Sequence, residues 1–185
     1  MAGFTFLTTP TEETLRYPVG KFQFDPEGFP ANRDGYVQDL EEALGQLNAL
    51  VSQADATWWQ TPYRPGGWTA AQVMAHLADS QANGLWRVKT AVMEPDAVIQ
   101  AYDENTWLAK SESARLPVLV NLMFVIAVLG RIQAFYKSLT YDIDFNKPVY
   151  HTGHKAHRPA QYWLQMFVWH PCHHVAHIQL SRNNA

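Results

Sequence analysis

Four of the chain's eight histidines lie within one eight-residue stretch, His170-Pro171-Cys172-His173-His174-Val175-Ala176-His177. With about 3.6 residues per turn, His170, His174 and His177 share one narrow stripe of a helix, and His173 lies at its edge. Two imidazoles four residues apart on a helix can hold one metal ion between them. A histidine-rich surface, or core histidines satisfied by neighbours, is the alternative, but four histidines so close together on one face favour a metal site.

This stretch belongs to the last of four long predicted helices. Helical periodicity places them at residues 34–53, 69–93, 116–139 and 159–181. Asp34 is the predicted N-cap of the first, and Thr69 with Gln72 forms a capping box for the second. Because no segment alternates apolar and polar residues as a strand would, the sequence predicts an all-α fold, a four-helix bundle.

The segments around these helices are predicted to be irregular. Residues 1–33 contain four prolines and little helical period, so we expect an irregular N-terminal arm that packs on the bundle of residues 34–185. Residues 140–158 are expected to form a connector in which His151, His154 and His157 are loop histidines. Pro171 removes a backbone hydrogen bond at a cost of about 3 kcal/mol and predicts a kink in the last helix.

The third predicted helix is apolar over nearly its whole circumference from Leu116 to Leu129. A bundle helix that faces one core needs only about half of its surface to be apolar. The excess predicts a second buried face, and a homodimer is the simplest way to cover it.

Composition excludes several classes of function. The net charge of −3 and the lack of a basic patch give no reason to expect a nucleic-acid partner. With one cysteine, no disulfide can form within the chain. The start resembles no signal peptide, and the longest apolar stretch, residues 116–129, is shorter than the roughly 18 to 20 residues of a membrane span. We therefore predict a soluble, cytoplasmic protein that is not in a membrane.

The second predicted helix offers a third metal ligand. His76, Ser80, Asn83 and Arg87 lie on one stripe, where a helix used only for packing would carry aliphatic residues. A solvated face is the alternative, but the pattern also fits a polar pocket in which His76 joins His170 and His174. Three imidazoles suit one divalent ion, zinc or nickel, and leave a coordination position open for chemistry.

Other residues near these ligands have several possible roles. His173 and His177 are also four residues apart, but we prefer His170 and His174 because they continue the stripe of Trp163 and Phe167. The other two histidines are then predicted to orient ligands or transfer protons. Asp79 is either such a partner or a surface carboxylate. Cys172 points to a different side of the helix and is predicted to be an idle thiol.

Several motifs, in order and at compatible spacing, resemble the YfiT branch of the DinB superfamily. They are Tyr17-Pro18-x-Gly20-x-Phe22, Thr61-Pro62-Tyr63-Arg64-x-Gly66-Gly67-Trp68-Thr69, Gln72-Val73-x-x-His76-x-Ala78-Asp79-Ser80-x-x-Asn83, Tyr102-Asp103-Glu104-x-x-Trp107 and Trp169-His170-x-x-His173-His174-x-Ala176-His177-Ile178. The resemblance implies a four-helix bundle that binds a divalent ion through His76, His170 and His174. It also implies a metal-dependent hydrolase or a bacillithiol S-transferase, and dimers are common among such proteins.

Three functions follow as hypotheses. In the first, the metal activates a low-molecular-weight thiol for attack on an electrophilic substrate, and Asn83 and Arg87 hold carboxylates of the thiol. In the second, metal-bound water hydrolyses an ester or amide, with Asp79 as the candidate base. In the third, a non-catalytic metal sensor fills its fourth coordination position with His173 or His177.

Overall fold

The computed structural model describes residues 11–185, and the part of the predicted arm within residues 1–10 lies outside that range. Four long helices form the body: α3 (Arg33–Leu50), α4 (Ala70–Met93), α6 (Val118–Ser138) and α7 (Ala160–Asn183). Short helices are α1 (Glu12–Arg16), α2 (Gly28–Ala31) and α5 (Glu104–Lys110), and 3-10 turns lie at Val51–Gln53, Thr57–Gln60 and Ser113–Arg115. The predicted four-helix bundle is confirmed.

Of the two predicted helix caps, the one at Thr69 is present and the one at Asp34 is not. The predicted capping box is present, because Thr69 accepts the Gln72 backbone N–H and Gln72 accepts the Thr69 backbone N–H. The prediction that Asp34 caps the first helix is wrong. Asn32 is the N-cap of α3, and Asp34 lies in the first turn, where it accepts a hydrogen bond from Arg33 Nε at 3.1 Å.

The packing order of the long helices differs from their order along the chain. α4 packs against α6 and α7, and α3 packs against the same two helices, so α3 and α4 lie on a diagonal of the bundle. Fully buried residues from all four helices meet between them, including Leu40, Leu77, Leu129 and Leu164. The contact between α4 and α7 brings the predicted metal ligands of the two helices face to face.

A small sheet corrects the prediction of a purely α-helical chain with a loop over residues 140–158. β1 (Val98–Ile99) runs parallel to β2 (Pro148–His151), which pairs antiparallel with β3 (Ala156–Pro159). Strands of two to four residues are too short to show apolar alternation in a sequence. His151, predicted as a loop histidine, is buried in β2 and stacks on Trp163 with ring centroids 5.0 Å apart.

The N-terminal arm contains helical turns and is fixed to α7 by polar contacts. Gln165 accepts the Asp25 backbone N–H at 3.0 Å and donates to the Asp25 carbonyl at 2.7 Å. Trp169 Nε1 donates to the Gly20 carbonyl at 3.1 Å. α1 therefore corrects the expectation of an arm without regular structure, and the division into an arm and a bundle stays a prediction.

α6 is long enough to cross a membrane, because it continues to Ser138 with a mean hydropathy of 2.0. The prediction that no apolar segment reaches the length of a membrane span is therefore wrong. Burial explains one face, since Leu122, Leu129 and Ile132 pack fully into the bundle. The other face is exposed, as at Phe124, which is 47 % exposed. We propose that a second copy of the chain packs on this exposed face of α6. Analytical ultracentrifugation, which measures the oligomeric state, tests this proposal.

Pro171 does not end α7, which continues as one helix from Ala160 to Asn183. The predicted kink thus does not interrupt the helix that carries the histidines. His170 precedes the proline and His174 follows it, and both stay on the side of α7 that faces His76.

Gly84 of α4 lets α7 approach closely, and this contact can be tested by adding one methyl group. A Cβ at Gly84 would lie 2.5 Å from the buried Phe167 ring. We expect Gly84→Ala to lower the free energy of unfolding by about 1 to 3 kcal/mol, a typical cost of overpacking a core. The matched control is Gly45→Ala on α3, where nothing lies within 4 Å.

Gly45→Ala should raise that free energy by up to about 1 kcal/mol through helix propensity alone. Urea unfolding followed by circular dichroism measures both variants. Equal effects of the two substitutions would show that the α4–α7 contact is not as close as described.

Candidate metal centre

His76 of α4 meets His170 and His174 of α7 at the centre of the helix contact. One ring nitrogen from each lies within 4.8 Å of those of the other two. The ring centroids are 5.4 Å apart for His76 and His170, 4.8 Å for His76 and His174, and 4.5 Å for His170 and His174. His76 and His174 are buried, whereas His170 is half-buried. This trio could hold a metal ion.

A second trio, His173, His174 and His177, meets the same distance criterion. Hydrogen bonds distinguish the two sets. His177 Nε2 lies 3.2 Å from the carbonyl oxygen of Arg16, which can only accept, so this nitrogen carries the proton. His177 Nδ1, 3.4 Å from His174 Nδ1, then accepts a hydrogen bond from it. Both nitrogens of His177 are engaged, and His174 keeps a free lone pair on Nε2.

This chain of contacts fits His174 as a metal ligand. Metal-binding histidines commonly donate their other ring N–H to a partner that fixes the tautomer and the ring orientation. Here His177 is that partner for His174, and Arg16 of α1 in turn orients His177. The stripe of His170 and His174 is therefore better suited to hold an ion than the pair of His173 and His177.

Gln81 provides the corresponding contact for His170. Its Nε2 lies 3.2 Å from His170 Nδ1, with Ser80 Oγ at 3.5 Å, while the buried Gln81 Oε1 has no hydrogen-bond partner within residues 11–185. Rotation of the amide by a half-turn would place Oε1 as the acceptor for a proton on Nδ1. His170 Nε2 would then be free for an ion. The orphaned Oε1 and the all-imidazole donor set therefore fit a divalent metal.

Burial keeps these imidazoles neutral at pH 7. Desolvation, with a smaller contribution from His177, lowers the pKa of His76 to about 4. Desolvation also holds the pKa values of His170 and His174 well below 6.5, and neighbouring histidines lower them further. Neutral rings offer their lone pairs without first losing a proton, as metal binding requires.

Three further predicted site residues, Asp79, Asn83 and Arg87, form their hydrogen bonds outside the trio. Asp79 Oδ2 accepts a hydrogen bond from Ser113 at 2.8 Å, and Asn83 donates to the Asp79 backbone carbonyl at 2.9 Å. Arg87 donates to the Gln100 carbonyl at 2.7 Å. Within residues 11–185, none of these three side chains forms a hydrogen bond with a histidine of either trio.

Cys172 lies on another side of α7, as the sequence predicts. Its thiol contacts the backbone carbonyl of Asp39 at 3.8 Å. Burial, followed by the charge of Asp39, raises the pKa of this thiol to about 11, so it stays protonated at pH 7. A protonated thiol is neither a nucleophile nor a metal ligand.

A cavity of about 300 Å³ opens beside His174. In the part of the chain that the structure describes, its lining is basic and aromatic and contains no carboxylate: Arg16, Tyr17, Tyr63, Arg64, Trp68, His173, His174 and His177. Sequence reasoning missed this wall because it combines α1, the segment before α4 and the last helix. Only the Tyr17 and Tyr63-Arg64 motifs hinted at it.

Comparison with known proteins identifies relatives of the chain. The DinB superfamily profile matches residues 39–178. The chain belongs to the DinB superfamily. It is 35 % identical over 173 residues to "Putative metal-dependent hydrolase YfiT" of Bacillus subtilis, covering 93 % of this chain and 97 % of that protein. A Bacillus licheniformis protein described likewise as a metal-dependent hydrolase is 32 % identical, covering 92 % of this chain and 96 % of that protein.

A solved structure gives the same relationship. YfiT from Bacillus subtilis, which has an unusual four-helix bundle topology, superposes with a TM-score of 0.81 at 34 % identity. The match covers 92 % of this chain and 98 % of that chain. The family and the bundle predicted from the sequence motifs are confirmed.

The buried histidines predict a loss of stability in mild acid. Because their pKa values are lower in the folded chain than in the unfolded chain, the unfolded state binds more protons as the pH falls from about 6.5 to about 4. Each extra proton removes about 1.4 kcal/mol of stability per pH unit in this window. We expect the free energy of unfolding of the metal-free protein to fall steeply between these pH values.

Urea unfolding in a chelating buffer measures this dependence. His173→Gln, which removes a histidine whose burial lowers its pKa to about 3, should make the dependence shallower. A free energy of unfolding that stays constant from pH 7 to pH 5 would show that these rings are not buried in the neutral form.

Proposed function

We propose that this DinB superfamily member is a low-molecular-weight-thiol S-transferase in which His76, His170 and His174 hold one divalent ion, zinc or nickel. The descriptions of its relatives support a metal-dependent enzyme, without specifying a transferase. When bound, such an ion supplies a Lewis acid that favours deprotonation of a thiol at an open coordination position.

The observation that carries this proposal is that, among residues 11–185, the cavity beside His174 is lined by basic and aromatic side chains and by no carboxylate. A hydrolase of this kind is helped by a carboxylate that takes a proton from water, and the candidate, Asp79, is hydrogen-bonded to Ser113 instead. A basic wall, by contrast, suits an anionic thiolate. Arg64 and Arg16 supply that positive charge near His174.

The chain's own groups have separate tasks in the reaction. His177 and Gln81 orient two of the ligand rings through their contacts with His174 and His170. The cavity beside His174 gives small molecules access to the site. A carbon–sulfur bond forms as the leaving group departs with its electron pair, and the thiol proton passes to solvent.

Hydrolysis is the second candidate, and the descriptions of the Bacillus relatives favour it. The three imidazoles would serve it equally well, because they leave the same open position. A non-catalytic sensor would need His173 or His177 as a fourth ligand. His177 already engages Arg16 and His174, which argues against His177 as that ligand. The buried His173 Nδ1 has no hydrogen-bond partner within residues 11–185, so His173 is the ligand that this candidate would need.

A thiol panel tests the proposal. Protein loaded with one equivalent of Zn²⁺ or Ni²⁺ is assayed with 1-chloro-2,4-dinitrobenzene and several small thiols, and thioether formation is followed by absorbance. We expect at least one thiol to react faster than in the enzyme-free control. His174→Ala should remove this activity and the bound metal, because two imidazoles remain.

The matched control is His157→Ala, which removes an exposed histidine of the hairpin. It should retain both the metal and the activity. If no thiol accelerates turnover while p-nitrophenyl acetate is cleaved in a His174-dependent manner, the hydrolase assignment replaces the transferase. Metal binding without either reaction would identify a binding protein.

A further inference from the structure

A second cavity, of about 450 Å³, lies between α7, α3 and the N-terminal arm. Cys172 and Ala176 of α7 line it. Each follows a candidate metal ligand, His170 or His174, by two residues, so this cavity lies on the opposite face of α7 from the histidines. Its volume is within the range of small-molecule pockets, about 300 to 1,000 Å³.

The charged groups of this cavity all have the same sign. Asp25 of the arm and Asp39 and Glu42 of α3 line it, and among residues 11–185 no lysine, arginine or histidine does. In the same part of the chain, none of the three carboxylates forms an ion pair. A cleft lined by charges of one sign attracts ions of the opposite sign. We call this space the acidic cavity.

Aromatic rings and apolar groups form the rest of the wall. Phe22, Tyr36 and Trp169 are half-buried there, and the ring centroids of Phe22 and Trp169 are 5.9 Å apart. Ala43 and Val168 are buried and form an apolar floor. The face of an aromatic ring attracts a cation, and a carboxylate accepts charge-assisted hydrogen bonds from an ammonium group. The wall therefore suits a cation with an apolar body.

The carboxylates act on one shared space. Burial and then the charges of Asp25 and Asp39 raise the pKa of Tyr36. Burial and then the charge of Glu42 raise the pKa of Asp39. Because Asp39 and Glu42 are three residues apart on α3, their side chains are neighbours on one face of the helix. A cation bound between them would offset their mutual repulsion.

Hydrogen bonds fix the walls of the acidic cavity relative to one another. Gln179 of α7 donates to Gln46 of α3 at 2.7 Å. Gln165 of α7 holds the backbone of Asp25 in the arm through two hydrogen bonds, at 3.0 Å and 2.7 Å. A pocket whose walls are already ordered loses less conformational entropy when it binds a ligand.

We propose that the acidic cavity binds a small organic amine, a primary ammonium group on an apolar or aromatic body. The ammonium group lies between Asp39 and Glu42, and the body packs against Phe22 and Trp169. This site is separate from the metal centre, and the inference does not rest on the proposed function.

Two molecules of similar size that differ in charge test the proposal. Zinc-loaded protein is titrated at pH 7 with 2-phenylethylamine, which is then protonated, and with 2-phenylethanol, and isothermal titration calorimetry measures each Kd. We expect the amine to bind at least about tenfold more tightly than the alcohol, as hydrogen bonds between charged groups imply. Asp39→Asn and Glu42→Gln should each weaken amine binding severalfold and leave the Kd of the alcohol nearly unchanged.

Two control variants separate this site from other carboxylates and from the metal. Glu41→Gln removes an exposed carboxylate of α3 that does not line the acidic cavity, and it should bind the amine as the wild type does. His174→Ala removes a candidate metal ligand on the opposite face of α7, and it should also keep the amine affinity.

Several results would overturn the amine site. They are a lack of measurable amine binding, equal affinities for the amine and the alcohol, and a preference for the amine that survives both Asp39→Asn and Glu42→Gln. Amine binding that is lost in His174→Ala but kept in Asp39→Asn would place the amine at the metal and would overturn it as well. None of these results bears on the transferase proposal, which the thiol panel tests.

Discussion

The close packing of α4 on α7 is the constraint on which the rest of the structure depends. Gly84 leaves room for the Phe167 ring, so that the two helices approach closely along the stripe that carries His76. The approach brings His76 within ligand distance of His170 and His174. It also buries these rings and keeps them neutral, which is the protonation state that a metal ion needs.

The site extends beyond the two helices. The backbone carbonyl of Arg16, in the N-terminal arm, fixes the tautomer of His177, and His177 fixes that of His174. Trp169 and Gln165 of α7 hold the arm in place through hydrogen bonds to its backbone. The arm therefore does more than cover the bundle, because it orients one candidate ligand and supplies part of the cavity wall.

The sequence predicted the features that depend on periodicity or on short motifs. Helical spacing predicted the four long helices, and the stripe from His76 together with the pair on the last helix predicted three histidines that do meet in the structure. Their role as metal ligands stays a prediction. Helical spacing could not find Gln81, which lies one residue from the predicted stripe, nor the contact between Arg16 and His177, which joins residues 161 positions apart. The spacing of Asp79 alone predicts a role near the metal, yet its carboxylate accepts a hydrogen bond from Ser113. The three-stranded sheet was not predicted because its strands are too short to show an alternation of apolar and polar residues.

X-ray absorption spectroscopy of the zinc-loaded protein tests the central claim, that three imidazoles share one cation and leave it a vacant position. We predict that three imidazole nitrogens and one oxygen coordinate the zinc ion. A thiol should replace that oxygen by sulfur. A shell of four imidazole nitrogens that does not change with thiol would contradict the account, since it would make the ion structural.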